Sequence, residues 1–387
     1  MKNKNKLIRV TTVPGSLHKL LENQLSFMKP FYEVIAISSP SMLLEEISKK
    51  EGVRVFGVEM TRKITPFKDI LAVWNLYNYL KKEKPLIVHT HTPKAGTVGM
   101  LSAKLAGVPI RLHTVAGLPL LETSGMKRLL LNLVEKITYA CATKVYPNSS
   151  GLKEIIVENS FCSVAKLKVI AEGSSNGINT GYFNPDLILD NVKLKLKSEL
   201  NIESSDFVFI FVGRLVGDKG INELVKAFDL FQFNHPNSKL LLVGDYEEQL
   251  DPIEQETVKI IQTNPNIITV GLQSDVRPYF AIANCLVFPS YREGFPNVVM
   301  QAGAMCLPCI VTNINGCNEI INEGINGTII PVKNVESIID KMTELFVDKL
   351  FYAQLKKNAR NMIVNRYEQD VVWQALLEEY KNLEDNV

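Results

Sequence analysis

Short apolar runs rich in β-branched residues alternate along the chain with longer segments whose apolar positions recur every three or four residues. The first pattern predicts buried strands and the second amphipathic helices. In the first half the strand candidates are Leu7–Val13, Glu33–Ser38, Val53–Val58, Leu86–His89, Ile110–Val115, Lys144–Pro147 and Leu167–Ala171. In the second half they are Phe207–Val212, Lys239–Val243, Ile267–Val270, Cys285–Phe288, Cys309–Thr312 and Gly327–Pro331. Pro66–Lys82 and Ile221–Phe233 typify the helical segments between them. Such alternation is that of βαβ units and parallel sheets. The expected architecture is α/β, two doubly wound, Rossmann-like domains facing each other across a cleft. A polar stretch, Asn184–Ser205, separates the two series, which sets the domains at 1–185 and 186–387. The last amphipathic pattern, Gln369–Leu383, either caps the second domain or crosses back to the first.

With 387 residues, 46% hydrophobic and 22% charged, the chain has room for two cores and is neither disordered nor fibrous. No run approaches the roughly 18 consecutive apolar residues that a membrane span needs. MKNKNK at the amino end is basic, but Leu7–Val13 is too short and too polar for a signal-peptide core, so a cytoplasmic protein is expected. Six cysteines fit that placement. The pair Cys306 and Cys309 has no second pair at zinc-site spacing and reads as packing. The net charge of +2 conceals a split. Residues 1–185 carry 25 Lys+Arg against 13 Asp+Glu, and residues 186–387 carry 18 against 28.

Ligands of open parallel sheets bind outside the carboxyl ends of the strands, so the residues that follow each strand candidate matter most. Gly213-Arg214-Leu-Val-Gly217-Asp218-Lys219-Gly220 follows one strand and opens a helix. Glycines admit a ligand to the backbone, a helix start offers free N–H groups, and Arg214 and Lys219 add a planar fork and a point charge. Diphosphate binding is the natural reading, although neither G-x-x-x-x-G-K-[ST] nor G-x-G-x-x-G is present. Pro289-Ser-Tyr-Arg292-Glu293-Gly294-Phe295-Pro296-Asn297-Val298 follows another strand, and Glu293 there suits sugar hydroxyls or a developing positive charge. On the first domain, Gly15 and Ser16 follow the first strand. His89-Thr-His91-Thr-Pro93-Lys94 ends the fourth, and His113 lies at the end of the fifth. Hydrogen bonding to a sugar or phosphate suits these histidines better than zinc, because no carboxylate or cysteine stands at ligand spacing. No D-x-D occurs, so Arg214 and Lys219, not a metal, are expected to neutralise a diphosphate.

Taken together, these motifs resemble the family 4 retaining glycosyltransferases of the GT-B fold, and Asn176-Gly177-Ile178-Asn179 and Ala302-Gly303-Ala304-Met305 extend the likeness over nearly the whole chain. The nearest likeness is to bacterial enzymes that build capsule, exopolysaccharide or O-antigen units on a lipid carrier. The resemblance implies a nucleotide-diphosphate sugar donor, a UDP-sugar first among them, and a lipid-diphosphate-linked saccharide acceptor. A hexose or N-acetylaminosugar would be transferred, with no metal or other cofactor. It places Arg214 and Lys219 on the donor diphosphate and Glu293 near the reacting centre. The second acid of the family's E-x7-E motif is replaced by Gln301, which keeps an acceptor and loses the charge. Gly15, Gly213, Gly294, Phe295, Asn297 and Val298 fall on donor-binding segments, and Asp275 and Arg277 near the nucleotide base. His113 matches the histidine near the donor sugar, with Ala116 where many relatives have a second histidine. Ser16, His89, His91 and Lys94 fall on the acceptor side.

Two other classes compete. One is a non-catalytic sugar-nucleotide-binding partner of a transferase complex, favoured by Gln301 and Ala116. The other is a non-hydrolysing sugar-nucleotide epimerase, which needs acid/base carboxylates where only Glu172 follows a first-half strand. Nucleic acid is not expected, because no aromatics interleave with the basic residues. Lys127, Arg128 and Lys136, beside Leu129–Leu131 and Val134, form an amphipathic segment suited to an anionic membrane surface. Peripheral attachment at the inner face of the cytoplasmic membrane is the expectation that follows.

Overall fold

A computed structural model describes residues 4–61, 63, 65–118, 120, 123–247 and 251–386. The chain divides into two units, Met1–Gly177 with Gln369–Val387, and Ile178–Glu368. In the first, β1 (Lys6–Val10), β2 (Glu33–Ser38), β3 (Arg54–Gly57), β4 (Ile87–His91), β5 (Ile110–Val115) and β6 (Lys144–Pro147) form a parallel sheet of order β3-β2-β1-β4-β5-β6. In the second, β7 (Phe207–Val212), β8 (Ser238–Val243), β9 (Ile267–Thr269), β10 (Cys285–Phe288), β11 (Cys309–Thr312) and β12 (Gly327–Ile330) give β12-β11-β10-β7-β8-β9. Both are the Rossmann order, read in opposite directions, and the order reverses between β1 and β4 and between β7 and β10.

Helices cover both faces of each sheet, so the strands read as unbroken apolar runs; Phe-Val-Phe-Ile-Phe-Val in β7 is almost wholly buried. Alternation still sorts the side chains of the first sheet. Ile8, Val10, Ile35, Ile37 and Val88 enter one core and Leu7, Val34, Ala36, Ile87 and Leu112 the other. The helix Gln369–Glu384 sends Leu376, Leu377 and Tyr380, at three- and four-residue spacing, into that second core. It therefore belongs to the first unit.

Three expectations change. Leu167–Ala171 forms no strand; Leu167 makes a single bridge to Val145, and Ala171 turns left-handed at φ +48°. The polar stretch 184–205 does not carry the junction; it lies within the second unit and holds the helix Asp190–Glu199, none of whose residues is buried. The junction placed at 185–186 falls at Gly177–Ile178, and the second unit ends at Glu368. With the acidic last helix moved to the first unit, 26 Lys+Arg meet 18 Asp+Glu there (+8), and 17 meet 23 in the second (−6). All six cysteines are free thiols.

Candidate functional site

In the second unit the loops after β7 and β10 flank the reversal of strand order, and they are stitched together. The Tyr291 N–H donates to the Asp218 carbonyl at 2.9 Å, and Ser290 Oγ donates to the same oxygen at 3.3 Å. Arg292 Nη2 pairs with Asp218 Oδ2 at 2.6 Å, while the Asp218 N–H donates to Asp251 Oδ2 at 2.5 Å. Gly220 holds φ +70°, and a Cβ there would lie 2.2 Å from the Pro289 carbonyl oxygen. Only glycine lets the start of the helix Ile221–Gln232 come this close. Gly244, at φ +145°, does the same after β8, where a Cβ would lie 1.8 Å from the Gly213 carbonyl oxygen.

Within this frame Lys219 Nζ is ion-paired to Glu293 Oε1, each side chain 17% exposed. Ser290 Oγ lies 3.2 Å from the same carboxylate oxygen. Asn315 Nδ2 donates to the Glu293 carbonyl and, at 3.2 Å, to that of Gly294, fixing the loop before the helix Asn297–Ala304. Arg214 pairs with Glu247 and is 55% exposed, so it can exchange that carboxylate for another anion. A lysine, an exposed guanidinium and a carboxylate around one switch point can hold a phosphorylated group and the hydroxyls next to it.

Other residues named from the sequence stand differently. Phe295 is buried with its ring 5.3 Å from that of Tyr367, so its side chain serves the core. Asn297 is exposed, and Val298 and Gln301 are half-buried on the same helix. Asp275 and Arg277 form a multiply bonded pair, with Nη2 to Oδ2 at 2.6 Å, and the guanidinium stacks 3.6 Å above the Tyr182 ring. That guanidinium holds the Asp275 carboxyl below its ordinary range, and the carboxylate raises Arg277 in turn.

In the first unit the loops after β1 and β4 meet at the corresponding reversal. Thr12 N–H donates to Thr92 Oγ1 at 3.1 Å, and the two hydroxyls lie 2.8 Å apart. Thr92 holds φ +86°, strained for a β-branched residue. Gly15 opens the helix Pro14–Leu21, where a Cβ would meet nothing within 4 Å, and Ser16 N–H donates to the Val13 carbonyl at 2.9 Å. Lys94 is ion-paired to Asp69.

All three histidines are buried. Both ring nitrogens of His89 are taken, Nδ1 by Tyr380 Oη at 2.5 Å and Nε2 by Thr114 Oγ1 at 2.7 Å. His113 Nδ1 lies 2.8 Å from Thr90 Oγ1, which leaves Nε2 for a ligand. Burial pushes the His113 imidazole down to about 4 and drives His89 and His91 well below the ordinary range. These rings are neutral at neutral pH. Sequence reasoning missed Arg9 and Gln24, both fully buried and bonded at 2.5 Å, although an arginine inside an apolar strand was the available signal.

The helix Gly125–Cys141 is inside out. Glu135, Thr138, Tyr139 and Cys141 are buried, whereas Met126, Leu129, Leu130, Leu133 and Ile137 form an exposed stripe. Lys127 and Lys136 are exposed beside it. Arg128 turns inward, donating through Nη1 to the Leu120 carbonyl at 2.6 Å and through Nε to Asn132 at 3.0 Å. No described helix is long and apolar enough to cross a membrane. Among the described residues no cluster of three His, Cys, Asp or Glu could hold a metal ion.

Two doubly wound units with a cationic, glycine-lined switch point define a class of proteins that bind phosphorylated small molecules. Comparison with known proteins narrows it. Residues 192–362 match the family model described as glycosyl transferases group 1, and residues 33–173 match the glycosyl transferase 4-like domain. The chain is 33% identical, over 97% of its length and 96% of the relative's, to the capsular polysaccharide biosynthesis glycosyltransferase CapM of Staphylococcus aureus. It is 31% identical, over 82% and 81%, to the UDP-Gal:α-D-GlcNAc-diphosphoundecaprenol α-1,3-galactosyltransferase of Escherichia coli. A glycosyltransferase structure from Rickettsia africae superposes with a TM-score of 0.81, at 23% identity and full coverage of both chains. The chain belongs to the family 4 glycosyltransferases of GT-B fold, of the capsule and surface-polysaccharide type.

Proposed function

We propose that this glycosyltransferase moves a hexose or N-acetylaminosugar, with retained configuration, from a UDP-sugar to a saccharide carried on a lipid diphosphate. The Lys219–Glu293 pair at the second unit's switch point carries this reading. The Escherichia coli relative is named for a UDP-sugar donor and a diphosphoundecaprenol-linked acceptor. Breaking the anomeric C–O bond leaves negative charge on the diphosphate, which Lys219, Arg214 and the start of the helix Ile221–Gln232 stabilise. Lys219 leaves Glu293 as the phosphate arrives, and the freed carboxylate faces the sugar. A retaining hydrolase sets two carboxylates about 5–5.5 Å apart. Glu293 is instead engaged by Lys219 and Ser290, which suits an orienting role beside same-face attack assisted by the leaving phosphate. Arg214 and Lys219 do the work a metal would otherwise do. The donor's base lies towards Asp275 and Arg277 and its ribose on Gln301. Gly15, Ser16 and the loops after β4 meet the acceptor.

The inside-out helix Gly125–Cys141 suits the headgroup region of an anionic inner leaflet, with its apolar stripe inserted and Lys127 and Lys136 beside the phosphates. Incubating the protein with a panel of nucleotide sugars and an undecaprenyl-diphosphate disaccharide tests the function. UDP release with extension of the lipid, an axial anomeric signal by NMR and insensitivity to EDTA are expected. Absence of any transfer alongside tight UDP-sugar binding would instead favour the non-catalytic partner that Gln301 and Ala116 suggest.

A further inference from the structure

Arg9 is fully buried in β1 and meets no carboxylate among the described residues. Its Nε and Nη2 donate to His91 Nε2, at 3.1 and 2.9 Å, and Nη2 donates to Gln24 Oε1 at 2.5 Å. Gln24 passes the chain of bonds on to Asn176 Oδ1 at 2.9 Å, which also accepts from Trp373 Nε1 at 2.7 Å. Every member after Arg9 is neutral. A buried charge without a counter-charge is costly.

The bonds also settle a tautomer. Arginine only donates, so His91 Nε2 must accept, and the proton of the neutral ring sits on Nδ1. That N–H has no partner. His91 lines a pocket with His89, Thr114, Tyr146, Asn148 and Ser175, in which Asn148 Oδ1 and Ser175 Oγ are likewise buried without partners. His91 is 2% exposed and Asn148 6%. The pocket is small and admits one compact group. The Glu379 carboxylate, behind Tyr146, is occupied by Tyr146 Oη at 3.1 Å and by Lys168.

From these groups we infer that the pocket at the ends of β4, β5 and β6 binds an oxyanion of phosphate type, with His91 Nδ1–H, the Ser175 hydroxyl and the Asn148 amide donating to it and Arg9 supplying the charge behind His91. Asn148 buries its amide oxygen, so its amide must flip to bring the nitrogen to the anion. Free phosphate and the diphosphate of a lipid-linked acceptor share this chemistry; naming the acceptor as the source rests on the function proposed above, and the oxyanion does not.

The test uses the full chain with 15N-labelled histidine, the His91 resonances being assigned with His91→Gln. Titration with inorganic phosphate should shift the Nδ1–H signal saturably. Asn148→Asp, which puts a negative charge in the pocket and leaves Arg9 in place, should weaken binding at least about tenfold by repulsion. Displacement of phosphate by farnesyl diphosphate would identify a prenyl-diphosphate source. Phosphate binding that farnesyl diphosphate leaves intact would identify the free anion, and both results support the pocket. An Nδ1–H signal that neither ligand moves, or that moves equally in Asn148→Asp, overturns it. Because the readout is a histidine resonance and not turnover, it can fail while transfer proceeds, or succeed in a protein that transfers nothing.

Discussion

At the end of β10 the second unit holds Glu293 against Lys219 with both side chains partly in water, whereas at the end of β4 the first unit holds His89 and His91 out of it. The strand order around the two places is the same. Ionised groups that keep some solvent can exchange partners when a charged ligand arrives, at little desolvation cost. Sealed, neutral imidazoles cannot take up charge, but they offer directed hydrogen bonds of fixed polarity. One topology thus supports two electrostatic regimes, one with exchangeable ion pairs suited to a leaving diphosphate and one with neutral donors backed by a buried arginine.

The largest effect that would break this comparison lies in the second unit. Lys219→Ala and Glu293→Ala should each lower kcat by about 10²–10³-fold, the loss typical of one preorganised electrostatic contact. Rates within about twofold of the parent in steady-state assays would remove the charged regime from the mechanism. Gly244→Ala should follow, costing on the order of 3 kcal/mol, because a Cβ meets the Gly213 carbonyl at a φ that only glycine adopts. Urea unfolding would measure it.

The neutral regime has its own signature in pH. His113 takes a proton near 6.5 when unfolded but only near 4 when folded. Between those values the unfolded chain binds more protons, so stability is lost as pH falls. For this residue alone the loss is about 2 kcal/mol by pH 5. Unfolding free energies at pH 8 and pH 5 should show the slope, and His113→Asn should lower it by about that amount, with the shares of His89 and His91 left in place. A slope unchanged in the variant would mean that the ring is not sealed.

Smaller effects sharpen the picture. Gln301→Glu should tighten donor binding several-fold, read as a lower KM, if a carboxylate meets the ribose diol better than an amide does. Neutralising Lys127 and Lys136 should each weaken binding to anionic liposomes by about 1 kcal/mol at low salt. Binding that ignores both salt and substitution would place the apolar stripe elsewhere.

Much of this was legible before any coordinates, because unbroken apolar strands and glycine-rich loops are local signals. Twelve of the strand candidates form, and the motifs around Gly213 and Glu293 sit where their spacing put them. Long-range pairing was not legible. Nothing in the local sequence says that Asp218 holds Arg292, that Asn315 pins the Glu293 loop, or that Phe295 faces the core. Polarity misled at 184–205, where a solvated helix looked like the junction between the units. Arg128, read as a surface cation, spends its donors on the Leu120 carbonyl and Asn132.

The helix Gln369–Glu384 has a consequence in time as well as in space. It is synthesised after the whole second unit, yet Tyr380 closes the His89 ring and Trp373 ends the bonds that begin at Arg9. The sheet of the first unit is complete at residue 147, but its second core stays open until the ribosome has finished the entire second unit. A chain stopped at Glu368 would carry a complete charged switch point and a first unit whose His89 has lost its Tyr380 bond.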